Sequence, residues 1–182
     1  MLEIETEQMD FWDEAAGEFV VIKPQKLQLE HSLISLSKWE ATWCKPFLSN
    51  DNKTDAETID YIRCMTINKN VNPLVYTNLG RANLEKVNAY VSSKQTATTI
   101  YDPSEGRAVG SRKVYTSELI YSWMVSYNIP LECEKWFLNR LITLIRIIQI
   151  ENQPKKKQSM SSIAARNRAL NAARRKELGT NG

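Results

Sequence analysis

The sequence predicts a mainly α fold: a compact helical domain with a small N-terminal strand element and a basic C-terminal tail, helical or disordered. Three observations carry that expectation. Apolar residues recur at three- and four-residue spacing through much of residues 33–150, the period of a helix with one buried face. Strand-like alternation is confined to a short stretch, where Leu27 and Leu29 alternate with Gln28 and Glu30. Charge is divided along the chain: residues 154–182 hold eight Lys or Arg and one acid, whereas residues 1–153 hold sixteen basic residues and twenty acids. The formal net charge of +3 therefore combines a body of about −4 with a tail of about +7.

A chain of 182 residues accommodates one domain with appendages. The expected divisions are an acidic, mobile N-terminus over residues 1–18, a mainly helical body over 19–153 and a basic tail over 154–182. With 42% hydrophobic residues, five Trp and seven Tyr, the body is large and apolar enough to bury a core. The first 22 residues contain seven acids and no base. A secretory signal needs a basic start and an apolar run, so none is expected here. The apolar stretch LITLIRIIQI is too short for a bilayer and is broken by Arg146.

The elements follow in order. Phe11 and Trp12 stand as anchors in the acidic segment. EFVVIKP and KLQLE read as two extended pieces around Pro24; two strands alone are marginal, so they must pair elsewhere or pack on helices. Leu36, Trp39 and Trp43 mark a helix within 33–48, with Ser35 or Ser37 placed to cap it and Pro46 to end it. Thr54-Asp55-Ala56-Glu57 is a capping box that opens a helix carrying Ile59, Ile62 and Met65. Asn72-Pro73 opens a short helix with Pro at its first position, and residues 82–91 give another. A short strand is expected near Thr98–Tyr101, followed by an exposed loop to Lys113. Helix resumes at Thr116 or Ser117, with Leu119, Ile120, Trp123, Met124 and Tyr127 on one face. After Asn128-Ile129-Pro130, a longer helix is expected over Leu131–Ile150. Its buried stripe is Cys133, Trp136, Phe137, Leu141, Leu144, Ile145 and Ile148. A hairpin of these two helices would set Trp123 near Trp136 or Phe137 and form the centre of the core.

Chemistry-bearing patterns are sparse. The cysteines, Cys44, Cys64 and Cys133, are odd in number and contain no CxxC, which points to reduced thiols in a cytoplasmic setting. His31 is the single histidine, so no His pair exists for zinc, and no metal or cofactor is expected. Cys133 lies between Glu132 and Glu134, which raise rather than lower a thiol pKa, so it reads as a buried structural cysteine. The stretch Gly106–Lys113 has Gly spacing unlike a phosphate loop and lacks its Gly-Lys-Ser/Thr. Trp39 and Trp43 lie one turn apart, and core packing is the default use of such residues. The Asn52-Lys53-Thr54 sequon carries no meaning without secretion.

The tail is the candidate binding element. Its basic residues, Lys155, Lys156, Lys157, Arg166, Arg168, Arg174, Arg175 and Lys176, spread around a helical wheel instead of forming one face. Phosphate contact without base readout is one use. No aromatic residue interleaves, which removes the stacking component of single-strand binding. An acidic protein surface is a second use, and a solvated disordered tail is the plain alternative. The apolar side of IAARNRALNAARRKEL is thin, so its helix should firm up only against a partner.

Four stretches carry a resemblance: HSLISLSKWEATWCKPFL (31–48), DYIRCMTI (60–67), SELIYSWMVSYNIPLECEKWFLNRLITLIR (117–146) and ARNRALNAARRKELGTNG (165–182). They resemble small proteins of tailed bacteriophages described as tail assembly chaperones or simply as uncharacterised phage proteins. The resemblance implies a mainly helical, non-enzymatic assembly factor in the infected host cytoplasm. It would bind a tail protein, the tape measure, and keep its apolar helices from aggregating until the tube assembles. It brings no catalytic residues, and it allows for a frameshifted longer product and for self-association. Two other readings remain open: a structural virion protein, such as a connector or baseplate component that docks through its tail, and a nucleic-acid binder. Enzyme function is not expected, because no nucleophile has a visible base.

Overall fold

The computed structural model describes residues 1–14, 17–100 and 114–152, with the single positions 164, 167, 168, 171, 175 and 179. Its N-terminal part is a strand layer of four short strands: β1 (Leu2–Glu5), β2 (Met9–Asp13), β3 (Glu18–Ile22) and β4 (Lys26–Leu29). β1 pairs antiparallel with β4, and β2 with β3, in two separate two-stranded sheets. The β2–β3 hairpin is thus inserted between the two strands of the other sheet. The α-helices that follow include α1 (Leu33–Trp43), α2 (Asp55–Met65), α3 (Arg81–Ser92), α4 (Ser117–Ser126) and α5 (Leu138–Asn152). Two 3-10 segments, Pro73–Asn78 and Leu131–Lys135, precede α3 and α5.

The fold is therefore mixed α/β, which corrects the expectation of a mainly α domain. The correction lies in the first eighteen residues, expected to be mobile, which supply β1 and β2 and begin β3. In β1, Leu2 and Ile4 alternate with Glu3 and Glu5, so the acids occupy the solvent face while the apolar residues face inward. The register sets Ile4 opposite Leu27 and Leu2 opposite Leu29, and Ile4, Leu27 and Leu29 are buried. On the outer face Gln28 Nε2 donates to Glu3 Oε1 at 3.0 Å. The two extended pieces around Pro24 are β3 and β4, each paired with a strand from the acidic segment.

Helix ends follow local chemistry. α1 is capped by Ser32, which with Ser35 forms a reciprocal box; the expected cap, Ser35 or Ser37, is corrected by one turn. Ser35 serves as the third helical residue, and its Oγ accepts from Ser32 N at 2.9 Å. α1 ends at Cys44, left-handed at φ 51°, because Pro46 disfavours a helical Lys45. The Thr54–Glu57 box opens α2 as expected: Thr54 N donates to Glu57 Oε2 at 2.8 Å and Glu57 N to Thr54 Oγ1 at 3.3 Å. Pro73 begins its 3-10 segment, and the Asn72 side chain accepts from Leu74 N. α4 closes in a Schellman motif, with Asn128 left-handed at φ 52°. There Ile129 N donates to Met124 O at 2.8 Å and Asn128 N to Val125 O at 3.2 Å.

Three expectations near the C-terminal end of the body are corrected. The helix expected over Leu131–Ile150 is broken at Trp136, whose backbone is extended at φ −68°, ψ 159°. A tertiary bond overrides local propensity there: Leu138 N donates to His31 O at 2.7 Å, and Ser32 and Phe137 form a bridge. Trp136, placed in the buried stripe by periodicity, is exposed, with the Arg140 guanidinium 5.6 Å from its ring centre. Trp123 packs edge-on to Tyr115 at 5.4 Å, while Phe137 lies edge-on to His31 and Tyr90. No strand forms at Thr98–Ile100; Tyr101 and the loop to Lys113 lie outside the described residues.

The core is built around α1 rather than around the α4–α5 hairpin. Leu33 and Leu36 pack with Ile120, Met124, Leu138, Leu141 and Ile145. One turn further along, Trp39 packs with Leu27, Leu29, Tyr61, Ile62 and Met65. Between these groups the buried Glu40 carboxylate accepts from Phe47 N at 2.9 Å and from Ser117 N at 2.7 Å. It thereby ties α1 to the first turn of α4. Met1–Gln149 and Ile150–Gly182 are two compact units. In the second, positions 164, 167, 168, 171 and 175 are helical. Among the described residues, no helix is long and apolar enough to cross a membrane.

Candidate partner-binding arm

The β2–β3 hairpin gathers exposed apolar residues on one face. Its register pairs Met9 with Ile22, Asp10 with Val21, Phe11 with Val20 and Trp12 with Phe19. Residues opposite one another in an antiparallel pair share a face. One face therefore carries Met9, Phe11, Val20 and Ile22, and Ile22 at its base is buried in the core. The other carries Asp10, Trp12, Phe19 and Val21, with Trp12 48%, Phe19 68% and Val21 54% exposed. Trp12 and Phe19 meet edge to face at 4.9 Å. Asp10 on this face, and Glu14 and Glu18 at the turn end of the hairpin, are exposed carboxylates.

Sequence reasoning named Phe11 and Trp12 as anchors but missed Phe19, Val20 and Val21 as their partners. A signal was present. FWD and EFVV flank a short connection that contains Gly17, and Gly17 is left-handed at φ 64°, a conformation that glycine supplies readily in hairpin loops.

The other candidates resolve into packing. Trp39 is buried, and its Nε1 donates to Glu57 O at 2.8 Å. Trp43 stacks on Trp39 at 6.1 Å, and its Nε1 donates to Asp60 Oδ2 at 2.9 Å. Lys45 Nζ binds Glu57 Oε1 at 2.6 Å, and that bond, aided by the Thr54 N–H, holds the Glu57 carboxyl below its ordinary range. The open groove beside them, about 310 Å³, is lined by Lys45, which is paired with Glu57, and by Lys53, whose Nζ lies 4.7 Å from the Phe47 ring centre. His31 is buried and shares a hydrogen bond between Nδ1 and the Tyr61 hydroxyl. Burial lowers its pKa to about 4, and burial raises that of Tyr61 far above its usual value. Cys133 is buried, as expected. Burial raises the Cys64 thiol pKa, the opposite of what a reactive thiolate requires. Glu134 accepts from the Tyr121 hydroxyl at 2.8 Å; burial, with help from that bond, pushes the phenol up to about 12. Among the described residues, no group of His, Cys, Asp or Glu is arranged to hold a metal ion.

Of the basic tail residues, Arg168 and Arg175 are described: both are helical and exposed, and Arg168 Nε donates to Ala164 O at 3.3 Å. Lys155, Lys156, Lys157, Arg166, Arg174 and Lys176 lie outside the described residues, as does the Gly106–Lys113 stretch. Comparison of the chain with family models, curated proteins and solved structures finds no match in any of the three.

Proposed function

We propose that this chain is a non-enzymatic assembly factor of tailed bacteriophages. It acts as a tail assembly chaperone that binds another tail protein, the tape measure, in the host bacterial cytoplasm. The phage identity rests on the four stretches that resemble that family. The observation that supports binding as the mode of action is the hairpin: Trp12, Phe19 and Val21 remain in solvent on one face of a two-stranded sheet. Clustered apolar exposure of this kind marks interaction surfaces.

Co-expression tests the proposal. With the tape-measure protein of the same phage, the chain is expected to raise its soluble fraction and to co-purify with it. An equally insoluble tape measure with no complex refutes it.

A second reading, a virion component docking through its tail, draws on the exposed helical positions Arg168 and Arg175 in a separate compact unit. Mass spectrometry of purified particles separates the two. A chaperone is absent or present in trace, whereas a component is stoichiometric.

A further inference from the structure

We propose that the outward face of the β2–β3 hairpin, Trp12, Phe19 and Val21 with the carboxylates of the hairpin, is the docking surface, and that its occupant is a basic amphipathic segment of a partner protein. This inference rests on the chaperone reading and adds to it the surface used and the chemistry of the segment bound.

The argument begins with packing. A two-stranded hairpin is marginal in water and needs a covered face to be stable by itself. Here only the base is covered, through Ile22 and the partly buried Met9. The face carrying the largest aromatic residue is turned to solvent, with Phe19 68% exposed. Burying Trp and Phe rings gives up a large apolar area to a partner. Their edge-to-face contact at 4.9 Å holds the two rings against each other before any partner arrives, which reduces the ordering cost of binding.

Charge selects the occupant. Residues 1–22 contain seven acids and no Lys or Arg; the exposed Asp10 lies on the face of Trp12, Phe19 and Val21, and the exposed Glu14 and Glu18 flank the turn of the hairpin. A second copy's hairpin would bring the same acids against these, and like charges across an interface oppose association. A segment that buries apolar side chains on Trp12, Phe19 and Val21 while setting Lys or Arg toward the rim satisfies both features.

The test uses the full chain and three labelled synthetic peptides followed by fluorescence anisotropy. One is a Lys/Leu amphipathic peptide; one has Glu for Lys, and one has Ser for Leu. The Lys/Leu peptide is expected to bind at least tenfold more tightly than either of the others. The double variant Trp12→Ser/Phe19→Ser is expected to weaken that binding at least tenfold, about 1.4 kcal/mol. Should its melting curve show unfolding, Asp10→Lys, which changes the carboxylate on the same face and leaves the three apolar residues in place, is expected to reduce Lys/Leu binding and to raise Glu/Leu binding.

Equal binding of the Lys/Leu and Glu/Leu peptides overturns the proposal, as does equal binding of the Lys/Ser peptide or unchanged binding by the folded double variant. A wild-type dimer in sedimentation that is lost in the double variant, with no peptide binding, also overturns it and gives the face to a second copy. Co-expression separates the two levels. A double variant that still holds the tape measure soluble refutes this surface and leaves the chaperone reading standing, whereas a wild-type chain that fails to do so refutes the chaperone reading itself.

Discussion

Replacing Glu40 should destabilise the body more than the loss of any surface charge, because one buried and one half-buried backbone donor depend on it. Its carboxylate accepts from Phe47 N at 2.9 Å and from Ser117 N at 2.7 Å. Ser117 is the first residue of α4, one of the positions whose N–H has no partner inside the helix. Glu40→Ala leaves both donors without an acceptor. Each orphaned buried donor costs roughly 1–3 kcal/mol. Phe47 is only half-buried, so water recovers part of its loss, and the expected sum is about 2–4 kcal/mol. Glu40→Gln keeps one carbonyl oxygen but turns an amide donor toward the second N–H, so its cost should fall between wild type and Ala. Urea titration followed by circular dichroism is the assay. With a slope of about 2 kcal/mol/M, the Ala midpoint should fall by roughly 1–2 M. Glu85→Ala is the control: Glu85 pairs with Arg81 at 2.9 Å in a fully solvated setting, where ion pairs contribute at most about 1 kcal/mol and often nothing measurable. The reasoning is refuted if Glu40→Ala shifts the midpoint no further than Glu85→Ala does, or if Glu40→Gln is indistinguishable from wild type.

Other outcomes follow from single contacts. His31 titrates near 6.5 when unfolded and at about 4 in the fold, so the unfolded chain takes up the proton first as pH falls. Stability should therefore be flat above pH 6.5 and decline from there to pH 4, by about 3 kcal/mol at most. His31→Gln should flatten that decline in urea midpoints, and a wild-type midpoint independent of pH over this range sinks the account. Cys44→Gly should raise the melting temperature slightly, since φ 51° strains a side chain while glycine loses some of that gain to unfolded-state entropy; the net is about 0.5–1 kcal/mol. Thr54→Ala removes the α2 cap and should cost about 1 kcal/mol, with Thr54→Asp near neutral, both read by urea titration. Trp12→Ser, at an exposed position, should leave the melting temperature within about 2 °C of wild type; a larger fall would mean that the arm is part of the core.

Local chemistry was the legible part of this fold. The Thr54–Glu57 box, Asn72-Pro73, the Thr116 start and the stop at Asn128 were readable because each lies within a few residues of what it governs. The misreadings required knowledge of distant partners. Trp136 follows the apolar stripe of its neighbours in sequence, yet His31, far away in the chain, breaks the helix there by taking the Leu138 N–H. Glu40 sits in the middle of α1 and reads as a solvated charge until Ser117 is placed beside it. The first strands were hidden by composition. In Leu2–Glu5 the acidic residues drew attention to charge, although their alternation with Leu2 and Ile4 is the pattern of a half-buried strand. Composition divides the arm in the same way: Phe11 and Trp12 fall in an acidic segment and Phe19–Val21 in an extended one, so the pairing that unites them is not legible in the sequence.

That pairing marks one place where this chain departs from its own rules. Across much of the body pattern, capping and burial agree: the alternating residues of β4 face the core, the two boxed helices bury their periodic faces, and among the described residues the buried polar side chains are paired. In the hairpin they disagree. Strand propensity is satisfied, since Phe, Trp and Val favour a pleated surface, yet that surface is not buried. An aromatic pair that contributes nothing to the core is costly to keep in water and risks aggregation. The dense acids of residues 1–22 counter that risk by repelling the same arm on other copies while leaving the face open to a cation-bearing segment. Apolar exposure and like charge are thus two halves of one device. Removing the acids should make the free protein less soluble, and removing the rings should leave it soluble but without its partner.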